Sequence, residues 1–257
     1  MTFRKFLLPA ALLLCLSSCI EINEDIEVKK DGSGQWTTHM DMSQMLDLIQ
    51  NYVGKEEMEK QLPNRMMDTT VYFKNLVDTS SAISEEKKAL VKNGKISMKL
   101  NMDKKLFNTD MNFPFRNLDN LQTLYASLGD GSLGTGQLLK SMSGGKEEGA
   151  AGSMPGPDMS QFNNLYDFRS RDGNISRKVN QEKLKALVDN PQFSQMKDAG
   201  NMGVEIPYTI TLHLPRAVKK VDNPIARVSD DKKTVVIKYN LVEMLNNPQK
   251  FEYSIEY

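Results

Sequence analysis

The stretch Ile20-Glu-Ile-Asn-Glu-Asp-Ile-Glu-Val-Lys-Lys-Asp-Gly-Ser-Gly-Gln-Trp-Thr-Thr-His-Met-Asp-Met42 decides the fold. Ile20, Ile22, Ile26 and Val28 share one face at period two, with Glu21, Asn23, Asp25, Glu27 and Lys29 opposite, the pattern of a half-buried strand. Asp31-Gly-Ser-Gly34 supplies a turn with two glycines able to take positive φ. Trp36, Thr38, Met40 and Met42 line one side of a second strand. Ser43 then reads as the N-cap of a helix with Met45, Leu46, Leu48, Ile49, Tyr52 and Val53 on its apolar face.

This hairpin-then-helix unit recurs twice. Ile96, Met98, Leu100 and Met102 alternate, Asp103-Lys-Lys105 turns, Phe107 to Phe115 alternate again, and Leu118, Leu121, Leu124, Tyr125 and Leu128 take helical spacing. A third unit has Tyr166 and Phe168, a turn at Asp172-Gly-Asn174, Ile175 and Val179, then a helix capped by Asn180 with Leu184, Leu187 and Val188. No residue-level repeat accompanies the recurrence. Met66–Val77 carries no decisive period, and Ser84–Asn93 reads as a short capped helix. Residues 206–214 alternate up to Pro215, and strands are expected at Ile225–Ser229, Thr234–Asn240 and Lys250–Tyr257.

The segment 129–158 differs in composition. It holds 9 of the chain's 16 glycines together with Pro155 and Pro157, which predicts a long flexible Gly-rich linker or loop. The expected class is α+β, a mostly antiparallel sheet built from β-hairpin–helix units. The expected organisation is a signal peptide at 1–18, a hairpin–helix region at 19–128, the linker at 129–158 and a β-rich region at 159–257. The last region is expected to join 19–128 in one α+β domain.

Arg4 and Lys5 precede an uncharged apolar run, Phe6–Leu16, interrupted by Pro9. It is shorter than the roughly 20 residues a spanning helix needs, which makes it an export signal rather than a membrane helix. The run closes with Leu16-Ser-Ser-Cys19, which resembles the lipobox of bacterial lipoproteins. The resemblance implies cleavage between Ser18 and Cys19, a diacylglyceryl group on the Cys19 thiol and palmitate as the type of acyl chain. Cys15 leaves with the signal, so the mature chain keeps no free thiol for a disulfide, a nucleophile or a metal. Ile20 stands where many inner-membrane lipoproteins carry Asp, which by the same resemblance implies the outer membrane, with the face of exposure left open.

Charge and motif narrow the function. Lys plus Arg and Asp plus Glu number 33 each, and loss of Arg4 and Lys5 leaves the mature chain at −2, against a nucleic-acid partner or a polybasic membrane contact. Gly129-Asp-Gly-Ser-Leu-Gly134 matches a dinucleotide fingerprint, but it follows a helix and opens the linker, so no nucleotide or other cofactor is expected. His39-Met-Asp-Met42 with Met45 could suit soft copper, yet Met40 and Met42 continue the Trp36 face, and packing explains them without a metal. The two imidazoles, His39 and His213, fall on polar strand faces with no hydrolase motif around them, so no catalytic residue is expected. Paired carboxylates of a glycan hydrolase are the alternative, with Asp41, Asp47, Glu56 and Glu57 as candidates that far more readily suit a solvated helix face. A purely structural assembly component is a third possibility.

Two segments carry a further resemblance. Cys19-Ile-Glu-Ile22 with Asp31-Gly-Ser-Gly34, and Ile206-Pro-Tyr-Thr-Ile-Thr-Leu-His-Leu-Pro215 with Lys219-Lys-Val-Asp-Asn223 and Lys233-Thr-Val-Val236, are similar to LppM-type envelope lipoproteins. That family implies a small anchored α+β domain associated with lipid or glycolipid binding. Residues 43–165 have no counterpart in it, Arg216 stands where the family tends to have Gly, and no binding residue carries over. The expectation is a non-enzymatic, lipid-anchored envelope protein. It would be held to the membrane by Cys19 and would bind an apolar ligand or an envelope protein.

Overall fold

The structure is a computed structural model that describes residues 20–44, 46, 66–77, 84–129, 165–188 and 205–257. The strands are β1 (Glu21–Val28), β2 (Gly34–Asp41), β3 (Met66–Tyr72), β4 (Lys95–Asn101), β5 (Leu106–Phe115), β6 (Tyr166–Arg171), β7 (Asn174–Val179), β8 (Pro207–His213), β9 (Lys220–Val221), β10 (Arg227–Val228), β11 (Thr234–Asn240) and β12 (Tyr253–Glu256). The helices are α1 (Phe73–Val77), α2 (Glu85–Val91), α3 (Leu118–Gly129), α4 (Gln181–Val188) and α5 (Leu241–Asn246), and a 3-10 turn covers Pro248–Phe251. The class is α+β with mostly antiparallel pairing.

Two sheets form. The larger has eight strands in the order β10-β11-β8-β1-β2-β5-β4-β3, the smaller four in the order β6-β7-β12-β9. β1 is the keystone of the larger sheet. It pairs antiparallel with β2, Ile26 opposite Trp36, and parallel with β8, Ile26 beside Leu212. One sheet therefore contains strands from both ends of the chain, joined by a single parallel pair. The alternation read in the opening stretch is present in three dimensions: Ile22, Ile26, Val28 and Trp36 are buried, while Glu21 and Glu27 are exposed.

Both sheets and all five helices contribute to one core. Ile26, Leu212 and Ile237 of the large sheet, Ile175 and Ile255 of the small one, and Leu121 and Leu124 of α3 are fully buried in it. Each such aliphatic side chain stabilises the fold by about 1.5–3 kcal/mol relative to exposure. A satellite core of Leu46, Met98, Leu100, Met102 and Phe107, flanked by Met42 and Met67, lies under one end of β4 and β5.

Several expectations change on contact with the structure. Ser43 is not an N-cap: it is already helical and its hydroxyl accepts from Phe107 N at 3.0 Å, while Asp41 Oδ1 accepts from Ser43 N at 2.9 Å. The hydroxyl is drawn to β5 because that strand starts beside the end of β2. Of the helix expected beyond Ser43, residues 45 and 47–53 lie outside the described residues, as does the linker except Gly129, which closes α3. Met66–Val77 resolves into an edge strand and one turn of helix. The expected strand Ile225–Ser229 shrinks to two residues, and Lys250–Tyr257 becomes a 3-10 turn followed by β12, which joins the smaller sheet rather than completing the larger.

Candidate functional site

Two charges lie inside the core. Glu24 occupies the centre of β1 between Ile22 and Ile26 and is only 1% exposed. Arg177 stands at the same in-phase position of β7, between Ile175 and Val179, and is also 1% exposed. The strand alternation leaves neither a route to water, so each is held by neighbours.

Those neighbours are aromatic. Tyr208 Oη donates to Glu24 Oε2 at 2.6 Å, and Tyr125 Oη approaches the same oxygen at 3.5 Å. On the other side Arg177 Nη1 donates to Tyr239 Oη at 3.1 Å, and its guanidinium lies 3.8 Å over the Tyr166 ring, a cation–π contact. Tyr208 and Tyr239 are directly opposed on β8 and β11 and stack with centroids 5.0 Å apart. The two charges are thus linked through a stacked tyrosine pair rather than by a direct ion pair. Arg177 belongs to the small sheet and Tyr239 to the large one, which makes this network the polar strut between them.

Burial dominates the electrostatics. Desolvation raises the Glu24 carboxyl above its ordinary value, with the Arg177 charge and the Tyr208, Trp36 and Tyr125 donors acting against it. Desolvation works against the Arg177 cation too, but the surrounding phenols, Tyr125 first, leave it raised and charged. Burial likewise pushes the Tyr239 phenol up to about 12. Arg177 Nε has no hydrogen-bonding partner among the described residues.

A pocket opens beside this network between α3, β6 and α4. Its volume is about 310 Å³, and Tyr125, Tyr166 and Phe168 form its inner wall. Tyr125 and Phe168 stack at 4.3 Å, and Tyr125 also touches Trp36, so the wall is braced from behind. The rim is polar and carries both signs of charge: Gln122, Asp167, Arg169 and Lys183. Lys183 Nζ lies 3.7 Å from Asp167 Oδ1. The helix bearing Lys183 is set by Asn180, whose Oδ1 accepts from Glu182 N and Lys183 N, the cap read from sequence.

The residues singled out from sequence fall elsewhere. Ser18 and Cys19 lie outside the described residues, as do Asp47, Glu56 and Glu57; Asp41 is engaged in capping the turn that follows β2. The histidines are on the polar face of the large sheet, where each is paired with an aspartate: His39 Nδ1 with Asp110 Oδ1 at 2.7 Å, His213 Nε2 with Asp25 Oδ2 at 3.0 Å. The polar strand faces expected for both histidines are present, and their aspartate partners, 71 and 188 residues away in sequence, carry no local signal. Trp36 packs in the core, as the alternation requires.

The fold and site together define an α+β domain with a charged, tyrosine-rich interior and an aromatic-walled pocket. No family model and no curated protein matches the chain. Among solved structures it is similar to the folded domain of LppM from Mycobacterium tuberculosis, determined by NMR, with a TM-score of 0.35 and 7% identity over 93% of this chain and 90% of that one. A superposition at that level transfers neither topology nor function.

Proposed function

We propose that the chain is a lipid-anchored lipoprotein of the cell envelope, held at the outer membrane through Cys19, and that its domain binds an amphipathic ligand of the lipid or glycolipid class without chemically altering it. The anchor rests on the order basic residues, short apolar run, Leu16-Ser-Ser-Cys19. The ligand reading rests on the pocket. The rim of Gln122, Asp167, Arg169 and Lys183 offers hydrogen bonds and both signs of charge to a sugar or headgroup, and the buried rings of Tyr125, Tyr166 and Phe168 form the floor beneath it. A volume of about 310 Å³ is at the small end of ligand sites, the size for one sugar ring or a short acyl segment rather than a whole lipid. A binding role fits better than paired-carboxylate hydrolysis, because Asp167 is the one carboxylate among the described residues that line the pocket.

Native mass spectrometry of the chain from Ile20 onward, incubated with envelope lipid extract, tests the reading. A stoichiometric added mass that is lost on organic extraction and weakened by Lys183→Glu is the expected result. A bare mass would overturn the lipid reading and direct attention to a protein partner.

A further inference from the structure

We infer that the end of the large sheet carrying Met66 and the turn Met102–Lys105 rests on the phospholipid surface, so that the domain stands on the membrane instead of hanging from a tether. The inference rests on the reading that Cys19 carries the lipid. Its structural basis is the absence of slack after that residue. Ile20 is already buried in the core and Glu21 opens β1, the central strand. An extended chain advances at most about 3.6 Å per residue, so the lipidated sulfur lies within roughly 10 Å of the sheet's end.

Strand register identifies that end. Glu21 is opposite Asp41, Asp41 is opposite Asn108, Asn101 is opposite both Leu106 and Met66, and Pro207 is opposite Asn240. The start of β3, the turn between β4 and β5 and the start of β8 therefore flank the start of β1. β3 is four strands from β1, about 19 Å away at ordinary strand spacing, close enough for one membrane plane to touch both.

The chemistry of this end suits lipid. Met66 is 70% exposed, the most exposed large apolar side chain among the described residues. Lys104 and Lys105 are exposed in the adjoining turn and have apolar stems that can lie along lipid with the ammonium at phosphate level. Behind them is the methionine-rich satellite core, whose side chains adapt readily to a deformable neighbour. Asp103 in the same turn and Glu21 and Glu205 at the same end are also exposed and more than offset the two lysines. Adhesion therefore comes from the anchor and Met66 rather than from net charge, and does not require a strongly anionic membrane. The opposite end, with Lys30 in the β1–β2 turn, lies a strand length away, roughly 25 Å.

The test uses the full chain, exported and lipidated in cells and reconstituted into phosphatidylethanolamine vesicles with a minor fraction of phosphatidylglycerol. Single cysteines are placed by Met66→Cys, Lys104→Cys and Lys30→Cys and labelled with an environment-sensitive fluorophore, which the thiol-free mature chain permits. With a nitroxide lipid in the headgroup region, the probes at 66 and 104 should lose fluorescence and shift to the blue, while the probe at 30 does neither. Flotation of each variant with the vesicles is measured first. A chain that does not float overturns the lipidation reading and this inference with it. A chain that floats, but whose probes at 66 and 104 are quenched no more than the probe at 30, overturns the orientation alone.

Discussion

Glu24 is the residue whose protonation the fold controls most directly. Its carboxyl is raised above the ordinary value of 4.5, chiefly by desolvation. Between that value and the raised one, the folded state keeps a proton that the unfolded state releases, so stability falls as pH rises through the window. Glu24→Gln should flatten this fall, measured as the difference between variant and wild-type denaturation curves from about pH 4.5 upward. Arg177→Met removes the opposing buried charge and its hydrogen bond to Tyr239, so it should destabilise the fold by about 1–3 kcal/mol, and Glu24→Gln added to it should recover part of that loss. Gly34 makes a steric claim at the same scale: a Cβ there would run into the Glu27 carbonyl and the Phe115 ring, so Gly34→Ala should destabilise by about 1–3 kcal/mol in thermal unfolding. Both charges left a trace in the sequence. Each falls in phase with the apolar set of its strand, Glu24 between Ile22 and Ile26, Arg177 between Ile175 and Val179. Reading only the apolar members of each face passes over such intruders. A charge in phase with a buried face is the signal that could have found them.

The elements themselves divide by whether their cause is local. β1, β2, β4, β5, β8 and β11 follow from alternation, and α3 from its 3.6-residue spacing, because a single face of each is buried. α5 was not expected, although Leu241-Val-Glu-Met-Leu245 is an apolar run: it directly follows a strand, and its start is set by a tertiary contact. Asn240 Oδ1 accepts from Val242 N and also from Ile206 N, so one amide caps α5 and ties it to the entry of β8. Asn240→Ala should therefore cost more than the roughly 1 kcal/mol of an ordinary cap, whereas Asn180→Ala should cost about that much; paired urea titrations compare them. The split into two sheets was not legible either. β12 joins β7 and β9 through pairings that no local pattern announces.

At the scale of the molecule, the parallel β1–β8 pair lets a strand from the start of the chain bind the C-terminal region. The same arrangement places Ile20, the residue after Cys19, at the entry of a central strand of the large sheet. The pocket is only partly legible in the sequence: Tyr125, Tyr166 and Phe168 fall on apolar faces, but that they meet in one wall depends on how α3 lies against β6. A flexible Gly/Ser insertion between Cys19 and Ile20 should leave folding and membrane attachment intact but release the sheet's end from the lipid, seen as loss of quenching at position 66. The central claim is that Cys19 anchors this domain. Its most direct test is the intact mass of the mature protein from the membrane fraction, beside detergent partitioning of Cys19→Ser. The account predicts a chain beginning at Cys19 with the added mass of a diacylglyceryl group and an acyl chain, and a Cys19→Ser protein that no longer enters the detergent phase. An unmodified mature N-terminus, or a Cys19→Ser protein that partitions as before, would contradict it.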